Sequence, residues 1–357
     1  MKTDFLQEPE VPPEQFFSLV DNGMHGLIRF TAIHAAGVLG LFDQLEGRSC
    51  TVPDLAASLG IDEQCLSRLL SVLRDTGLVA GEGETYVNTP LASIFLVSAS
   101  PYCQKGHLHK NAVFLREIWA TLPERLVHGP LVFDSEVFFR DLSLLAMAEN
   151  ALAGRLQRTI REVIAMPEFA TAERMLDLGG GHGLYAVALA AQNPRLSAYV
   201  FDLAHIAPLA GDTIRKYHAA RVSTLPGNFF NDDLGSGYDL IFSSSNPSGK
   251  STALLPRIAA ALNSGGLFVN VQSDDDGDDD PYHALEWQLW TLGSAEKGTG
   301  YYARGQPFMT REYRGALGAA GFEVVRERQI RDDYHRDSTV RMVIAKKVGH
   351  DGGSRGQ

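Results

Sequence analysis

The stretch Arg174-Met175-Leu176-Asp177-Leu178-Gly179-Gly180-Gly181-His182-Gly183-Leu184-Tyr185 decides how this chain folds. A short apolar run enters it, and an alanine-rich helical pattern over 186–191 leaves it. The order reads as strand, glycine turn, helix. Glycine tolerates positive φ and lets a backbone approach a ligand with no Cβ in the way. The helix that follows begins with N–H groups that have no intrahelical partner. A second apolar run, 196–200, ends at Phe201-Asp202. An acidic side chain closing the second strand of a βαβ unit is placed to accept both hydroxyls of a nucleoside ribose.

Two cofactors suit such a unit. Gly181-x-Gly183-x-x-Ala186 satisfies a loose dinucleotide pattern, with Asp202 near the expected offset of ~20 residues. The fuller reading is Asp177-x-Gly179-x-Gly181-x-Gly183, an acid followed by three alternate glycines. That pattern resembles the first motif of class I S-adenosylmethionine-dependent methyltransferases. A tight strand-to-helix turn with no ligand is the plain alternative, and only the rest of the chain separates the three.

The chain has 357 residues, 45% hydrophobic and 21% charged, which suits a globular protein of two or three domains. No uninterrupted apolar run reaches the ~18 residues of a membrane span. The first residues are polar and acidic and lack the apolar core of a signal peptide, so a cytoplasmic home is expected. Cys50, Cys65 and Cys103 show no paired metal spacing, and no metal is expected. A net charge of −11 argues against a nucleic-acid surface.

Residues 1–13 read as a loose arm. Residues 16–41 carry apolar side chains at helical spacing, with Gly37 and Gly40 suggesting a break. Thr51 and Asp62 stand as N-caps of two helices, stopped by Gly60 and Gly77, and 78–87 reads as a hairpin. Helix, turn, helix, hairpin is a winged-helix order, a unit that most often binds DNA. Between Asp43 and Ser98, however, there are eight acidic and three basic residues, a net of 3 − 8 = −5. Phosphate neutralisation needs the opposite sign, so packing or dimerisation is the better reading.

Residues 98–106 look like a linker, and 108–126 and 138–164 like helices separated by His128-Gly129-Pro130. From Met166 the pattern alternates. Strands are expected at 196–200, 222–225, 238–243, 267–272, 322–328 and 340–346, and helices at 205–219, 252–262, 281–296 and 310–320. Such alternation predicts a parallel, doubly wound sheet whose ligand sits beyond the carboxyl ends of its strands. The acidic run 274–280 reads as a solvated loop, 301–307 as loop, and 349–357 as a disordered tail.

Taken together, residues 22–346 resemble the O-methyltransferase family whose plant members methylate caffeate and flavonoids and whose bacterial members decorate natural products. The resemblance rests on Ala36-Gly37-Val38-Leu39-Gly40-Leu41-Phe42-Asp43, Asn88-Thr89-Pro90-Leu91-Ala92, the glycine motif, Phe201-Asp202-Leu203, Gly227-Asn228-Phe229-Phe230 and 310–322. It implies an α/β fold: a Rossmann-like doubly wound sheet preceded by a mostly helical winged-helix domain. The implied domains are 1–98 for dimerisation, 99–165 as helical linker and pocket wall, and 166–348 for S-adenosylmethionine. The implied partners are a small-molecule acceptor and a second copy of the chain, with neither nucleic acid nor membrane.

By position, the resemblance assigns the cofactor to Asp177, Gly179, Gly180, Gly181, Gly183, Asp202, Leu203, Asn228, Phe229, Ser243 and Ser244. Asn228 stands where the family usually has aspartate on the adenine amino group, and an asparagine oxygen still accepts from it. The acceptor pocket falls to His107, Phe139, Met147, Asn150, Asn246, Ser248, Trp287 and Trp290. The family's catalytic histidine, followed by Asp-Trp, falls on Ser248, with Gly249 and Lys250 after it. A serine is no base near neutral pH. His283 and Glu286 are therefore the candidate catalytic pair, with His107 and His109 of Gly106-His107-Leu108-His109 as further histidines. Asn246-Pro247 faintly resembles the Asn-Pro-Pro-aromatic motif that holds the amine in amino-group methyltransferases.

The leading expectation is methyl transfer from S-adenosylmethionine, yielding S-adenosylhomocysteine, to a small aromatic acceptor in secondary metabolism. O-methylation is favoured over N- or C-methylation. The rivals are an enzyme that keeps the cofactor for non-methylating chemistry and a cofactor-sensing DNA-binding regulator.

Overall fold

A computed structural model describes residues 8–82, 84–273, 280–293, 308–331 and 339–348. The acidic residues 274–279, the stretch 294–307 and the tail 349–357 lie outside the described residues, as do residues 1–7. Two compact units divide after Ala112, within the helix Lys105–Phe114. Among the described residues, no helix is long and apolar enough to cross a membrane.

The first unit opens with one helix, Pro13–Val38. Gly23, Gly26 and Gly37 lie inside it, and the break falls at Gly40, whose φ of 75° starts the short helix Leu41–Gln44. The expected caps are in place. Thr51 accepts from the Asp54 N–H and Asp62 from the Cys65 N–H, opening Val52–Leu59 and Glu63–Asp75. Strands β1 (Cys50–Thr51), β2 (Val79–Glu82) and β3 (Thr85–Asn88) form a small antiparallel sheet in the order β1-β3-β2. Leu66, Leu70 and Leu73 share the buried face of the second helix and pack with Phe42, Leu55 and Ala92. The expected linker at 98–106 is tied down instead. Asp43 accepts from the Ser98 N–H at 2.6 Å and from Lys105 Nζ at 2.7 Å.

In the second unit, strands β5 (Arg174–Leu178), β6 (Ser197–Asp202), β7 (Val222–Pro226), β8 (Tyr238–Ser244), β9 (Leu262–Ser273), β11 (Phe322–Arg331) and β12 (Thr339–Lys347) form one sheet. Its order is β11-β12-β9-β8-β5-β6-β7, parallel from β9 to β7 and antiparallel at β12. Chain order reverses at β5, which has β6 on one side and β8 on the other. The crevice at the carboxyl ends of such a pair is where ligands enter open α/β sheets. Met175, Leu176 and Leu178 are fully buried, as a central parallel strand covered on both faces requires.

The helix expected over 252–262 forms as a turn at Thr252–Leu254 continued by Leu255–Ala261, and β9 begins at once, so Gly265 and Gly266 lie in the strand. Two sequence expectations fail here for physical reasons. The helix expected over 281–296 stops at Gln288, and Trp290–Leu292 pairs in parallel with Leu131–Phe133. These two short strands are β10 and β4. The long helix over 138–164 is interrupted by wide turns at Phe138–Ser143 and Ala151–Arg155, the second containing Gly154 at φ 145°.

Candidate active site

The site is built on the turn between β5 and the helix Leu184–Gln192. Gly179, Gly181 and Gly183 all have positive φ, and Gly183 is the N-cap. Gly179 and its neighbour Gly180 are demanded by the protein itself. A Cβ on Gly179 would lie 2.8 Å from Asn246 Nδ2, and one on Gly180 would lie 2.7 Å from Asp177 Oδ2. Packing within the fold, rather than ligand approach alone, fixes glycine at these positions. Leu144 Cδ1 comes within 3.1 Å of where a Gly181 Cβ would stand, so the helix Leu144–Asn150, which carries Met147 and Asn150, lies against the turn.

Asp177 is buried, and burial lifts its carboxyl to about 7, with the negative charge of Asp202 adding to the rise and the Ala186 N–H opposing it. His182 was not singled out as a site residue. It is buried inside the glycine turn, and its Nδ1 accepts from the Leu184 N–H at 3.1 Å. Burial and the nearby Arg155 cation push its imidazole down to about 3, so it stays neutral. These two groups oppose each other in their effect on stability. The folded state holds the Asp177 proton that the unfolded chain releases near the ordinary aspartate value, so this group removes stability as pH rises from about 4 to 7. The unfolded chain binds the His182 proton that the folded state refuses, so this group removes stability as pH falls below the ordinary histidine value. Asp177→Asn abolishes only the first effect. Its gain in stability over the parent should be larger at pH 7.5 than at pH 5 by about 2 kcal/mol. Denaturant melts at the two pH values measure this, and an equal difference at both would contradict it.

Asp202 ends β6 as expected. Its Oδ2 accepts from the Gly181 N–H at 2.8 Å and its Oδ1 from the Leu203 N–H at 2.7 Å. Burial raises its carboxyl above the usual aspartate range, and these two hydrogen bonds pull the other way. A carboxylate offers about four acceptor directions, so two remain for a ribose. Next to it, the Gly227 N–H donates to the Asp202 carbonyl at 2.8 Å, and a Cβ on Gly227 would lie 2.5 Å from Phe201 Cζ. Asn228 Oδ1 already accepts from the Phe230 N–H at 2.9 Å. Arg257, absent from the sequence reading, donates to the carbonyls of Phe229, Phe230 and Asp232 and so clamps this loop. Phe229 is buried and tilts against Phe230 at 4.7 Å.

Across the crevice, β8 ends at Ser243 and Ser244, and the backbone of Ser248 lies in the single turn Pro247–Lys250. Asn246 Nδ2 donates to the Leu178 carbonyl at 2.7 Å, and its Oδ1 accepts from Ser243 Oγ at 3.2 Å. Behind this turn, Asn270 donates to the Gly249 carbonyl and to the Tyr313 hydroxyl, and Gln272 donates to Asn270. Gly249 stands where a Cβ would fall 1.8 Å from Gln272 Nε2. A buried amide network therefore fills the space beside the turn.

A separate aromatic cluster gathers the other expected pocket residues of the second unit. Trp290 is buried and stacks on Phe138 at 4.9 Å, while Phe139 and Trp287 are half-buried against them at 5.5 and 5.6 Å. Trp290 thus reaches this cluster from β10 rather than from the expected helix. His283, Glu286 and Trp287 lie three and four residues apart on the helix Pro281–Gln288, which Asp280 caps through the Tyr282 and His283 N–H groups. His107 belongs to the first unit, on Lys105–Phe114, where Asn111 donates to its carbonyl at 2.8 Å. Burial and Lys110 push its imidazole down to about 4.

Residues 127–323 match the O-methyltransferase domain family, and residues 22–98 match the O-methyltransferase dimerisation domain. This chain belongs to the O-methyltransferase family. It is therefore an S-adenosylmethionine-dependent methyltransferase with a class I α/β fold. The 3-hydroxy-5-methyl-1-naphthoate 3-O-methyltransferase of Streptomyces sahachiroi is 28% identical over 70% of this chain and 76% of its own length. The N,N-dimethyltransferase OxyT of Streptomyces rimosus is 29% identical over 67% of this chain and 73% of its own. The structure of human N-acetylserotonin methyltransferase in complex with S-adenosylmethionine superposes with a TM-score of 0.66 at 21% identity, covering 96% of this chain and 100% of that one.

The residues present suit that cofactor in this methyltransferase. Asp177 Oδ2 and the Tyr185 hydroxyl are buried beside the turn with no hydrogen-bond partner among the described residues. Unsatisfied buried polar atoms are uncommon and point to a bound polar group. Asp202 retains acceptor capacity for two hydroxyls beside the two N–H groups it already holds.

Proposed function

We propose that the protein methylates a small aromatic acceptor, with oxygen as the receiving atom. The observation that carries this reading is the pairing of the O-methyltransferase domain with an Asp202-closed glycine turn. S-adenosylmethionine supplies an electrophilic methyl group on a sulfonium centre. In this reading Asp202 holds the ribose, Asn228 and Phe229 border the adenine, and Asp177 and the glycines hold the amino-acid part. Phe139, Met147, Trp287 and Trp290 give the acceptor flat or apolar surfaces and Asn150 a polar one, and the second unit's Ser243, Ser244 and Asn246 close it from the β8 side, with Ser248 in the turn that follows.

Ser248 stands where the family has its base, and His283 with Glu286 takes over proton removal. An acceptor that is already a strong nucleophile needs little of that help, because positioning supplies much of the rate. Incubation with methyl-labelled S-adenosylmethionine and a panel of phenols, amines and aromatic amino acids tests the reading. Label on a phenolic oxygen supports it. Label on nitrogen or carbon replaces it with one of the neighbouring chemistries, of which OxyT is an instance by name. Cofactor binding without methylated product favours the non-methylating rival.

The first unit completes the reading as a winged-helix dimerisation module in a cytoplasmic enzyme of secondary metabolism. Phe16, Phe17, Leu19, Val20, Met24, Leu27 and Ile28 are all exposed on the helix Pro13–Val38. An apolar stripe of that length on a lone chain marks an interaction surface. Light scattering at micromolar concentration should give twice the chain mass of 38.9 kDa. A mass near the single-chain value would contradict the dimer.

A further inference from the structure

We propose that Asn246 is a positioning residue that locks the cofactor turn to the acceptor loop across the mouth of the sheet. The inference rests on the reading of this crevice as the methyl-transfer site, and it assigns Asn246 a role different from that of the amine-holding motif its Asn-Pro sequence resembles. Both ends of the Asn246 amide are engaged with the protein. Its Nδ2 donates to the Leu178 carbonyl at 2.7 Å, on the last residue of β5. Its Oδ1 accepts from Ser243 Oγ at 3.2 Å, inside β8. One side chain thus joins the two strands that flank the switch point.

The surroundings are shaped for this contact. Gly179 leaves the space that Asn246 fills, since a Cβ there would come within 2.8 Å of Nδ2 and 2.9 Å of Cγ. Ser245 is held at φ 51°, in the left-handed region that a non-glycine residue seldom adopts. Its N–H donates to the Val271 carbonyl at 2.9 Å, and the Asn246 carbonyl accepts from the Gly249 N–H at 3.2 Å. The chain therefore turns sharply after β8 and is fastened on both sides of Asn246. Unfavourable backbone conformations persist where the surroundings over-determine them, and they cluster at functional sites. The contact couples two groups that must share one register: the turn that holds the methyl donor and the loop that faces the acceptor.

The contact needs a donor at Nδ2, because Leu178 offers only a carbonyl, and that requirement gives a test independent of activity. Calorimetric titration of the full-length protein with S-adenosylhomocysteine compares the parent, Asn246→Ala and Asn246→Asp at pH 8 and pH 5.5, each variant against the parent at the same pH. Asn246→Ala should bind about tenfold more weakly at both pH values, the upper range for one lost hydrogen bond. Asn246→Asp should bind more weakly still at pH 8, where an ionised carboxylate has no proton for the Leu178 carbonyl. A half-buried carboxyl facing a carbonyl oxygen is pushed above the ordinary aspartate value, so at pH 5.5 a larger share is protonated and can donate again, and the deficit against the parent should narrow. A merely structural side chain has no reason to show that recovery. Ser243→Ala, which removes only the bond to Oδ1, should cost about threefold and carries the test where the Asn246 variants fail to fold. Asp and Ala variants equal to the parent at pH 8, or an Asp deficit that ignores pH, would overturn the proposal. A parent protein that binds no S-adenosylhomocysteine would overturn the reading of the site itself.

Discussion

Asp202→Ala should weaken S-adenosylmethionine binding at least tenfold. A hydrogen bond to a charged group contributes about 1.5–3 kcal/mol, and each 1.4 kcal/mol is a factor of ten in affinity. In the proposed complex the carboxylate serves two ribose hydroxyls while it still holds the Gly181 and Leu203 N–H groups. The substitution therefore removes the ribose acceptor and loosens the glycine turn in one step. It also relieves a buried carboxylate whose ionisation burial already opposes, so the folded protein need lose little stability. Loss of affinity without loss of folding is the signature of a binding group. Calorimetry on Asp202→Ala beside a thermal melt reads both, and an unchanged dissociation constant would remove Asp202 from the site.

The second large effect concerns the proton. His283→Ala should lower turnover by about 10²–10⁴-fold, the usual contribution of general acid–base catalysis. The loss should be largest for weakly acidic phenols and small for acidic ones, whose oxygen is already ionised. Ser248→Ala should barely change turnover, because a serine hydroxyl at that position abstracts no proton near neutral pH. Small, equal effects at both positions would leave positioning as the whole of catalysis. A large loss at Ser248 with none at His283 would refute the placement of the acceptor. Turnover on the substrate found in the acceptor panel is the measurement.

Much of the fold was legible because its signals are local. The caps Thr51, Asp62 and Thr310 each accept the backbone N–H that their position implies. The run Arg174–Leu178, the glycines after it and Asp202 at the end of the next strand read directly as β5, turn and β6. What the sequence did not show depends on partners far along the chain. Trp290, Thr291 and Leu292 continue a helical pattern, yet they form β10 because Leu131, Val132 and Phe133 present an edge to them. Gly154 looks tolerable within a helix, but its φ of 145° belongs to a wide turn.

The candidate site divides in the same way. Asp177, Asp202 and the glycines declare themselves by spacing. Arg257 and His182 do not, and Asn246 is marked by its Asn-Pro sequence but not by its bond to Leu178, because these contacts are set by carbonyls and N–H groups brought to them by the sheet. Asn228 shows the limit of positional reasoning. The asparagine oxygen that was expected to meet adenine accepts from the Phe230 N–H, which leaves its amide N–H₂ and one carbonyl lone pair for the base. His182 could have been noticed from the sequence, since a histidine between two glycines of a cofactor turn is an unusual choice. Its neutral form caps the helix start by accepting from Leu184, a contact that a small hydroxyl residue could also make.

The central claim is that the methyl donor sits on the β5 turn with its reacting end toward the loop after β8. A crystal structure of the protein with S-adenosylhomocysteine tests it most directly. The account predicts both ribose hydroxyls on Asp202, Asp177 or Tyr185 newly partnered, and the thioether sulfur facing the Ser244–Asn246 side with the Asn246–Leu178 bond intact. A nucleoside bound elsewhere, or one on this turn with Asp202 making no contact to its ribose, would contradict it.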